Sequence, residues 1–164
     1  YFDVIDRLRA SRPDLTFSSD FIVGFPGETE EDFEQTLDMV QRVNFVSCYS
    51  FKFSARPGTP AANMQNLVRD DIASERLKRL QSLLNEQQIA FNQQSVGLTL
   101  PVLFDRKGKR EGQLVGRSPF SQSVFVDGNA RLMNTIADVK ISEGYENSLT
   151  GDIVTGESVS SAVS

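Results

Sequence analysis

The sequence predicts an α/β segment followed by a small all-β barrel, and three observations support this fold class. Apolar residues recur at helical spacing in three stretches before residue 97, and two short apolar strands separate those stretches. After residue 97 the pattern changes to short apolar runs between turn residues, without a helical stretch. This change predicts domains at residues 1–96 and 97–155, with a flexible tail at residues 156–164.

A helix and a strand are predicted first. The helix has apolar residues three positions apart and ends before Pro13. The strand covers residues 15–25, and we expect it to be buried because its centre, Phe21-Ile22-Val23, is uniformly apolar. A Gly-Phe-Pro-Gly sequence then ends this strand.

The second predicted helix has a clear start signal. Thr29 can cap it, and Asp32 stands three residues later, as in a capping box. Glu28 lies just before the cap, where we expect its charge to favour the positive end of the helix dipole. Four apolar residues form the inward stripe of this helix: Phe33, Leu37, Val40 and Val43.

A second strand and a long helix complete this region. The strand covers residues 45–53, the loop at residues 54–60 contains two prolines that end it, and the helix covers residues 70–96. Because strands alternate with helices, the two strands are predicted to be parallel and joined by a right-handed crossover. Two strands do not close a barrel, so the region is typical of the end of a larger α/β domain.

The second region predicts a small antiparallel barrel. Five short apolar runs occur in under 60 residues, and Gly- and Asn-containing turns separate them. The runs cover residues 100–104, 113–116, 124–126, 136–141 and 149–154.

The composition excludes several kinds of chemistry. Cys48 is the single cysteine, so no internal disulfide can form, and the sequence contains no histidine. Most zinc sites, Ser-His-Asp hydrolysis and Cys-His catalysis are therefore excluded within this chain. We accordingly predict no catalytic residue and no metal ligand here. No apolar run reaches the roughly 20 residues that span a bilayer, so no membrane contact is expected.

The charge is unevenly distributed. The net charge is −5, which argues weakly against nucleic-acid binding. Residues 1–96 carry 10 Lys and Arg against 14 Asp and Glu, whereas residues 97–154 carry 7 of each. The second region also contains the basic sequence RKGKR at residues 106–110. The barrel could therefore contact a phosphate backbone locally.

Three segments resemble one enzyme family. Residues 19–29 read SDFIVGFPGET, residues 49–62 read YSFKFSARPGTPAA, and the β-region is similar to the TRAM module, an OB-like RNA-binding barrel. Their order resembles that of the radical-SAM tRNA methylthiotransferases, most closely the MiaB type. The resemblance implies the C-terminal portion of a radical-SAM (partial TIM-type) barrel, followed by a five-stranded TRAM barrel.

The resemblance also implies a chemistry. Enzymes of this family add a methylthio group to C2 of N6-isopentenyladenosine in tRNA, using S-adenosylmethionine and two [4Fe-4S] clusters. Their cluster-binding cysteines precede the stretch that this chain resembles, and Cys48 matches none of them. We therefore expect this chain to bind no cluster, to be inactive alone and to require the N-terminal part of the same enzyme. The implied location is the cytoplasm.

Four residues are candidates for contact with S-adenosylmethionine. The resemblance places Ile22 and Gly24 beside the adenine, where an apolar side chain covers the ring and Gly permits close approach. Phe51 lies on the next strand, and Asp20 could contact a ligand. The simpler alternatives remain open: Ile22 and Phe51 as core, Gly24 as a strand terminator, and Asp20 in a structural ion pair.

Seven residues are candidates for substrate contact. Arg56 follows the second strand, where the active mouths of such barrels open, and could bind a phosphate; otherwise it is a surface residue or pairs with a carboxylate such as Asp20. In the barrel, four cations at the hairpin could contact phosphates, while Arg117 and Phe125 could add polar and stacking contacts to a nucleotide. A charged hairpin tip can also simply be solvated. The four hairpin cations are Arg106, Lys107, Lys109 and Arg110.

Two other functions remain possible. A methylthiotransferase acting on a ribosomal protein would use the same chemistry, with the barrel contacting protein, although residues 55–59 are more similar to the tRNA-acting group. A non-catalytic RNA-binding module would use the α/β region only as a scaffold.

Overall fold

The structure is a computed structural model that describes residues 1–154, which divide into two compact units. The first unit is Tyr1–Ala90 and the second begins at Phe91, so the division lies within a long helix. The domain boundary expected between residues 96 and 97 stays a prediction. The tail expected at residues 156–164 lies outside the described residues. Within residues 1–154, no helix combines the length and the apolar character needed to cross a membrane.

The first unit contains three helices and a two-stranded sheet. The strands β1 (Ser18–Val23) and β2 (Ser47–Lys52) pair in parallel, with Ser18 opposite Ser47 and Val23 opposite Lys52. The predicted parallel pairing is therefore confirmed, although both strands are shorter than expected. The helices are α1 (Phe2–Ser11), α2 (Glu30–Val43) and α3 (Asp70–Gln94), and a short 3-10 turn occupies Pro60–Asn63.

The core of the first unit lies on one face of the sheet. Phe21 and Val23 of β1 pack with residues of all three helices, including the fully buried Phe33 and Leu80. The expectation that β1 is buried on both faces is wrong, because Ile22 is 58% exposed. The helices cover only one face of the two-stranded sheet. Because successive side chains of a strand alternate between the two faces, Ile22 lies on the uncovered face.

The start of α2 confirms the predicted capping box. The Thr29 hydroxyl accepts a hydrogen bond from the Asp32 amide at 3.1 Å, and the Asp32 carboxylate accepts one from the Thr29 amide at 2.9 Å. These bonds satisfy amide groups that no helical carbonyl can reach. Together with the inward stripe, in which Phe33, Val40 and Val43 are buried, they fix where α2 begins.

The second unit is a closed five-stranded barrel. All five predicted strands are present: β3 (Thr99–Lys107), β4 (Gln113–Arg117), β5 (Ser123–Asp127), β6 (Ile136–Gly144) and β7 (Leu149–Ile153). They are hydrogen-bonded in the order β3-β4-β5-β7-β6, and β6 pairs with β3 to close the ring. A short 3-10 turn, Ala130–Leu132, precedes β6.

One pairing in the barrel corrects the all-antiparallel expectation. The strands β5 and β7 are parallel, with Val124 opposite Leu149, whereas the other neighbouring pairs are antiparallel. Strand direction cannot alternate around a closed ring with an odd number of strands, so at least one neighbouring pair must be parallel. The inward side chains fill the interior; fully buried examples are Val102, Phe104, Val124, Val139 and Leu149.

Candidate functional site

The uncovered face of the β1–β2 sheet presents an apolar surface. Ile22 stands opposite Phe51 in the parallel register, and the two side chains are 58% and 53% exposed. Tyr49 is 67% exposed and stacks on Phe51 with ring centroids 6.5 Å apart. An exposed cluster of this kind marks a place where another apolar group can bind.

The structure places three of the predicted cofactor residues on this same face. Asp20 is opposite Tyr49, one step along the sheet from Ile22 and Phe51. It is exposed and forms no ion pair with any residue in the described part of the chain, so the structural pair considered for it is not observed. A planar apolar group lying on Ile22 and Phe51 would have a carboxylate beside it.

Gly24 ends β1 and begins a tight turn. Its φ of +72° favours glycine, and a Cβ there would lie 2.7 Å from the Cβ of Ala73. Its amide donates a hydrogen bond to the Glu28 carboxylate at 2.7 Å. Gly24 therefore has a structural role at this position, in addition to the role that the resemblance implies.

The carboxylate of Glu28 forms its hydrogen bonds away from the start of α2, where the sequence had suggested that its charge would act. Its carboxylate binds the Gly24 amide and the guanidinium of Arg76, both at 2.7 Å, while Thr29 and Asp32 cap α2. The expectation that Glu28 serves mainly the α2 dipole is therefore corrected. Both members of the pair are nearly buried, with side-chain exposures of 6% for Arg76 and 11% for Glu28.

Arg76 belongs to a larger ionic cluster between α3 and α2 that the motif analysis missed. It also pairs with Glu30 at 3.0 Å, and Arg79 pairs with Glu30 at 2.9 Å and with Glu34. The hydrogen bond from Arg76, followed by that from Arg79, lowers the pKa of Glu30. The available signal was Arg76 itself, an arginine four residues before the apolar Leu80 and therefore on the same face of α3.

Arg56 lies in the exposed loop after β2. Its carbonyl accepts hydrogen bonds from the Thr59 hydroxyl at 2.8 Å and the Thr59 amide at 3.2 Å, which fix the backbone. Within residues 1–154 its guanidinium forms no ion pair, so pairing with Asp20 is not observed. A fixed backbone carrying an exposed guanidinium suits recognition of an anion.

Cys48 lies on β2 as a free, partly buried thiol. Burial raises its pKa, and the negative charge of Asp20 adds to the rise. The described residues also contain no group of three or more His, Cys, Asp or Glu side chains arranged to hold a metal ion.

The basic residues of the barrel lie at and beside the β3–β4 hairpin. Arg110 pairs with Asp127 at 3.6 Å, and Asp105 is 3.7 Å from Arg106 and 3.8 Å from Arg117. These pairs are exposed and long, and such contacts contribute little to stability. Lys107 and Lys109 are exposed and form no ion pair within the described residues. The hairpin thus keeps cations available for an anionic partner.

Phe125 lies on β5, between inward-facing Val124 and Val126. It is half-buried and stands opposite Val115, while Arg117 stands opposite Ser123. The register therefore brings Arg117 and Phe125 to diagonal positions on one wall of the barrel. The ring of Phe125 is only partly open to a stacking partner.

A buried polar network fixes the loop after Arg117. The Gln122 side chain donates hydrogen bonds to Asn92 at 2.8 Å and to Ser95 at 3.1 Å, and accepts one from Ser118 at 2.9 Å. Asn92 in turn donates to the carbonyl of Tyr145 at 2.6 Å. The last turn of α3 thus anchors two barrel loops, a contact for which the motif analysis gave no signal.

Comparison with known proteins finds matches to residues of both units. Residues 93–154 match the TRAM domain family. Three relatives bear the name tRNA-2-methylthio-N(6)-dimethylallyladenosine synthase. The relative from Maricaulis maris (strain MCS10) is 56% identical over 99% of this chain. The relative from Rickettsia canadensis (strain McKiel) is 54% identical over 94% of this chain. The relative from Ehrlichia chaffeensis (strain ATCC CRL-10679 / Arkansas) is 52% identical, also over 94%.

The matched region is only part of these relatives, because the chain spans 35–36% of their length. The identity nevertheless extends over nearly all of this chain and includes both the α/β segment and the barrel. The resemblance inferred from the motifs is confirmed: relatives named tRNA-2-methylthio-N(6)-dimethylallyladenosine synthase match nearly the whole chain, and residues 93–154 match the TRAM domain family.

Proposed function

We propose that this chain is the C-terminal part of an enzyme that adds a methylthio group to C2 of N6-isopentenyladenosine in tRNA. The observation that carries the proposal is 52–56% identity, over nearly the whole chain, to synthases whose name states this product. The TRAM match at residues 93–154 supports tRNA as the partner. A tRNA substrate in turn favours a cytoplasmic location.

The first unit would supply the last strands of a radical-SAM barrel. S-adenosylmethionine and two [4Fe-4S] clusters would provide radical chemistry, with the clusters held by the remainder of the enzyme. In this proposal Ile22 and Phe51 cover the adenine of S-adenosylmethionine, Gly24 permits its close approach, and Asp20 contacts its polar edge. The exposed apolar face of β1 and β2 supports this assignment. This chain alone would be inactive.

The barrel would bind the tRNA. Exposed cations at the β3–β4 hairpin would contact phosphates, while Arg117 and Phe125 would contact a nucleotide. Arg56 would hold a phosphate nearer the reacting base. The phosphate-binding residues are Arg106, Lys107, Lys109 and Arg110. This phosphate-binding role is supported by the ion pairs of these side chains, which are long and exposed or absent within the described residues.

Salt-dependent tRNA binding tests this assignment. Affinity of the 164-residue chain for a family substrate tRNA should fall steeply between about 50 and 200 mM salt, because phosphate contacts release counterions. The double variant Lys107→Ala/Lys109→Ala should reduce the slope of log K against log salt by about 2. Fluorescence anisotropy at several salt concentrations measures both quantities.

Arg12→Ala/Arg69→Ala is the matched control, since these exposed arginines pair locally with Asp14 and Asp71. It should leave the slope unchanged. Salt-insensitive binding, or no binding to substrate tRNA, would contradict the RNA-binding role. Binding to a ribosomal protein instead of tRNA would favour the protein-modifying alternative.

A further inference from the structure

The turn at residues 24–28 is held against α3 at two points. At one point Gly24 packs so closely on Ala73 that a Cβ would lie 2.7 Å from the Ala73 Cβ. At the other, the Arg76 guanidinium donates to the Glu28 carboxylate at 2.7 Å and to the Glu28 carbonyl at 3.1 Å. Ala73 and Arg76 are three residues apart on α3, so one face of one helix sets the turn.

The Glu28 carboxylate connects this contact to the end of β1. The same oxygen that binds Arg76 accepts the hydrogen bond from the Gly24 amide at 2.7 Å. Gly24 directly follows Val23, the last residue of β1. Ile22, the residue before Val23, faces the open side of the sheet. The position of the Gly24 peptide, and with it the end of β1, therefore depends on the Arg76–Glu28 pair.

We infer that Arg76 is a positioning residue for the cofactor pocket, acting through Glu28 and the Gly24 amide. The inference rests on the proposed function, which assigns Ile22 and Gly24 to the adenine of S-adenosylmethionine. A buried ion pair gains little stability over an apolar replacement, because desolvation offsets the attraction. A charged pair at this place is better explained by the geometry that it imposes on the turn.

Arg79 provides a matched comparison on the same helix. It is also an α3 arginine bound to the acidic start of α2, through Glu30 and Glu34, but within residues 1–154 it forms no hydrogen bond or ion pair with Glu28. If the ionic cluster served only to attach α3 to α2, both arginines would act alike. The positioning role is specific to Arg76.

The first test measures the turn itself in the 164-residue chain. Amide hydrogen exchange at Gly24, followed by NMR, should become at least about ten-fold faster in Arg76→Met and stay within about two-fold of wild type in Arg79→Met. Glu28→Gln is a second variant of the same ion pair, in case Arg76→Met does not fold. It removes the charge of the carboxylate but keeps an oxygen that can accept the hydrogen bond from the Gly24 amide. It should accelerate exchange less than Arg76→Met does. Unchanged Gly24 exchange in Arg76→Met would overturn the inference.

The second test measures affinity for S-adenosylmethionine in the full-length enzyme by equilibrium binding. Arg76→Met should raise Kd by about ten-fold or more, since misplaced supporting residues weaken a site strongly, and Arg79→Met should leave Kd near the wild-type value. If Gly24 exchange accelerates while Kd is unchanged, the positioning role is wrong and the proposed function stands. If the wild-type enzyme does not bind S-adenosylmethionine, the proposed function fails, and the positioning role fails with it.

Discussion

Arg56 is an exposed cation on a backbone that its own turn holds in place. A guanidinium that binds a phosphate forms charge-assisted hydrogen bonds, each contributing about 1.5–3 kcal/mol. We therefore predict that Arg56→Ala lowers kcat/KM for tRNA methylthiolation in the full-length enzyme by roughly ten-fold or more. The melting temperature should not change, because no ion pair of Arg56 is lost within the described residues. Mass spectrometry of the tRNA nucleosides measures the product.

Arg69→Ala is the control for this variant, since Arg69 is an exposed arginine that pairs with Asp71. It should retain wild-type turnover. Equal turnover in Arg56→Ala and wild type would reject a substrate contact by Arg56.

The capping box makes stability depend on pH. The hydrogen bond from the Thr29 amide, followed by that from its hydroxyl, lowers the pKa of Asp32 below its usual value of 3.8. A carboxylate with a lowered folded pKa stabilises the protein fully above its unfolded pKa, and this stability is lost as pH falls through the folded pKa. The melting temperature of wild type should therefore drop more steeply than that of Asp32→Asn between about pH 5 and pH 2.5.

Asp38→Asn, at an exposed position on the same helix, is the control and should follow the wild-type curve. Parallel curves for wild type and Asp32→Asn would contradict this account of the cap.

At the residue scale, sequence predicted local interactions better than distant ones. Thr29 and Asp32 form the predicted box because both partners lie within one helical turn. Arg76 was missed because its partner Glu28 is 48 residues away, and only the fold brings the two together. Strand β1 was predicted to be buried from the apolar character of its centre, which does not reveal how many strands the sheet contains.

At the scale of elements, the end of α3 and the barrel loops act together. Replacing Gln122 by Leu would leave polar groups of Asn92, Ser95 and Ser118 buried without this partner. We predict a loss of roughly 1–3 kcal/mol in the free energy of unfolding, the usual cost of such unsatisfied groups. Urea unfolding, followed by circular dichroism, measures it.

Ser142→Ala serves as the comparison, because the exposed Ser142 hydroxyl makes a 3.2 Å hydrogen bond to the Thr150 carbonyl. It should change stability by less than about 0.5 kcal/mol. A similarly small effect of Gln122→Leu would show that the network contributes nothing specific.

The elements themselves were largely predictable, and their pairing was less so. Each of the five barrel strands overlaps a predicted apolar run, since alternating burial appears directly in the sequence. The parallel pairing of β5 with β7 was not predicted, because it follows from closing an odd-numbered ring. Local pattern identifies a strand, whereas barrel closure decides which strands become neighbours.

At the scale of the whole molecule, the surfaces of the two units suit two different binding functions. The first has an exposed apolar face suited to a cofactor, and the second has exposed cations suited to RNA. The chain spans 35–36% of its relatives, so the proposed activity is that of a longer enzyme. The activity that we propose for that enzyme is the methylthiolation of tRNA.

Deletion of the gene that encodes this chain tests whether the cell depends on it for this modification. Nucleosides from total tRNA of the deletion strain would be quantified by mass spectrometry, with the complete gene returned as one control. A second complementing gene would lack the TRAM-matching residues 93–154. We predict that 2-methylthio-N6-isopentenyladenosine disappears on deletion, that its unmethylthiolated precursor accumulates, and that only the complete gene restores the modification. An unchanged level of the 2-methylthio nucleoside in the deletion strain would rule out the proposed activity.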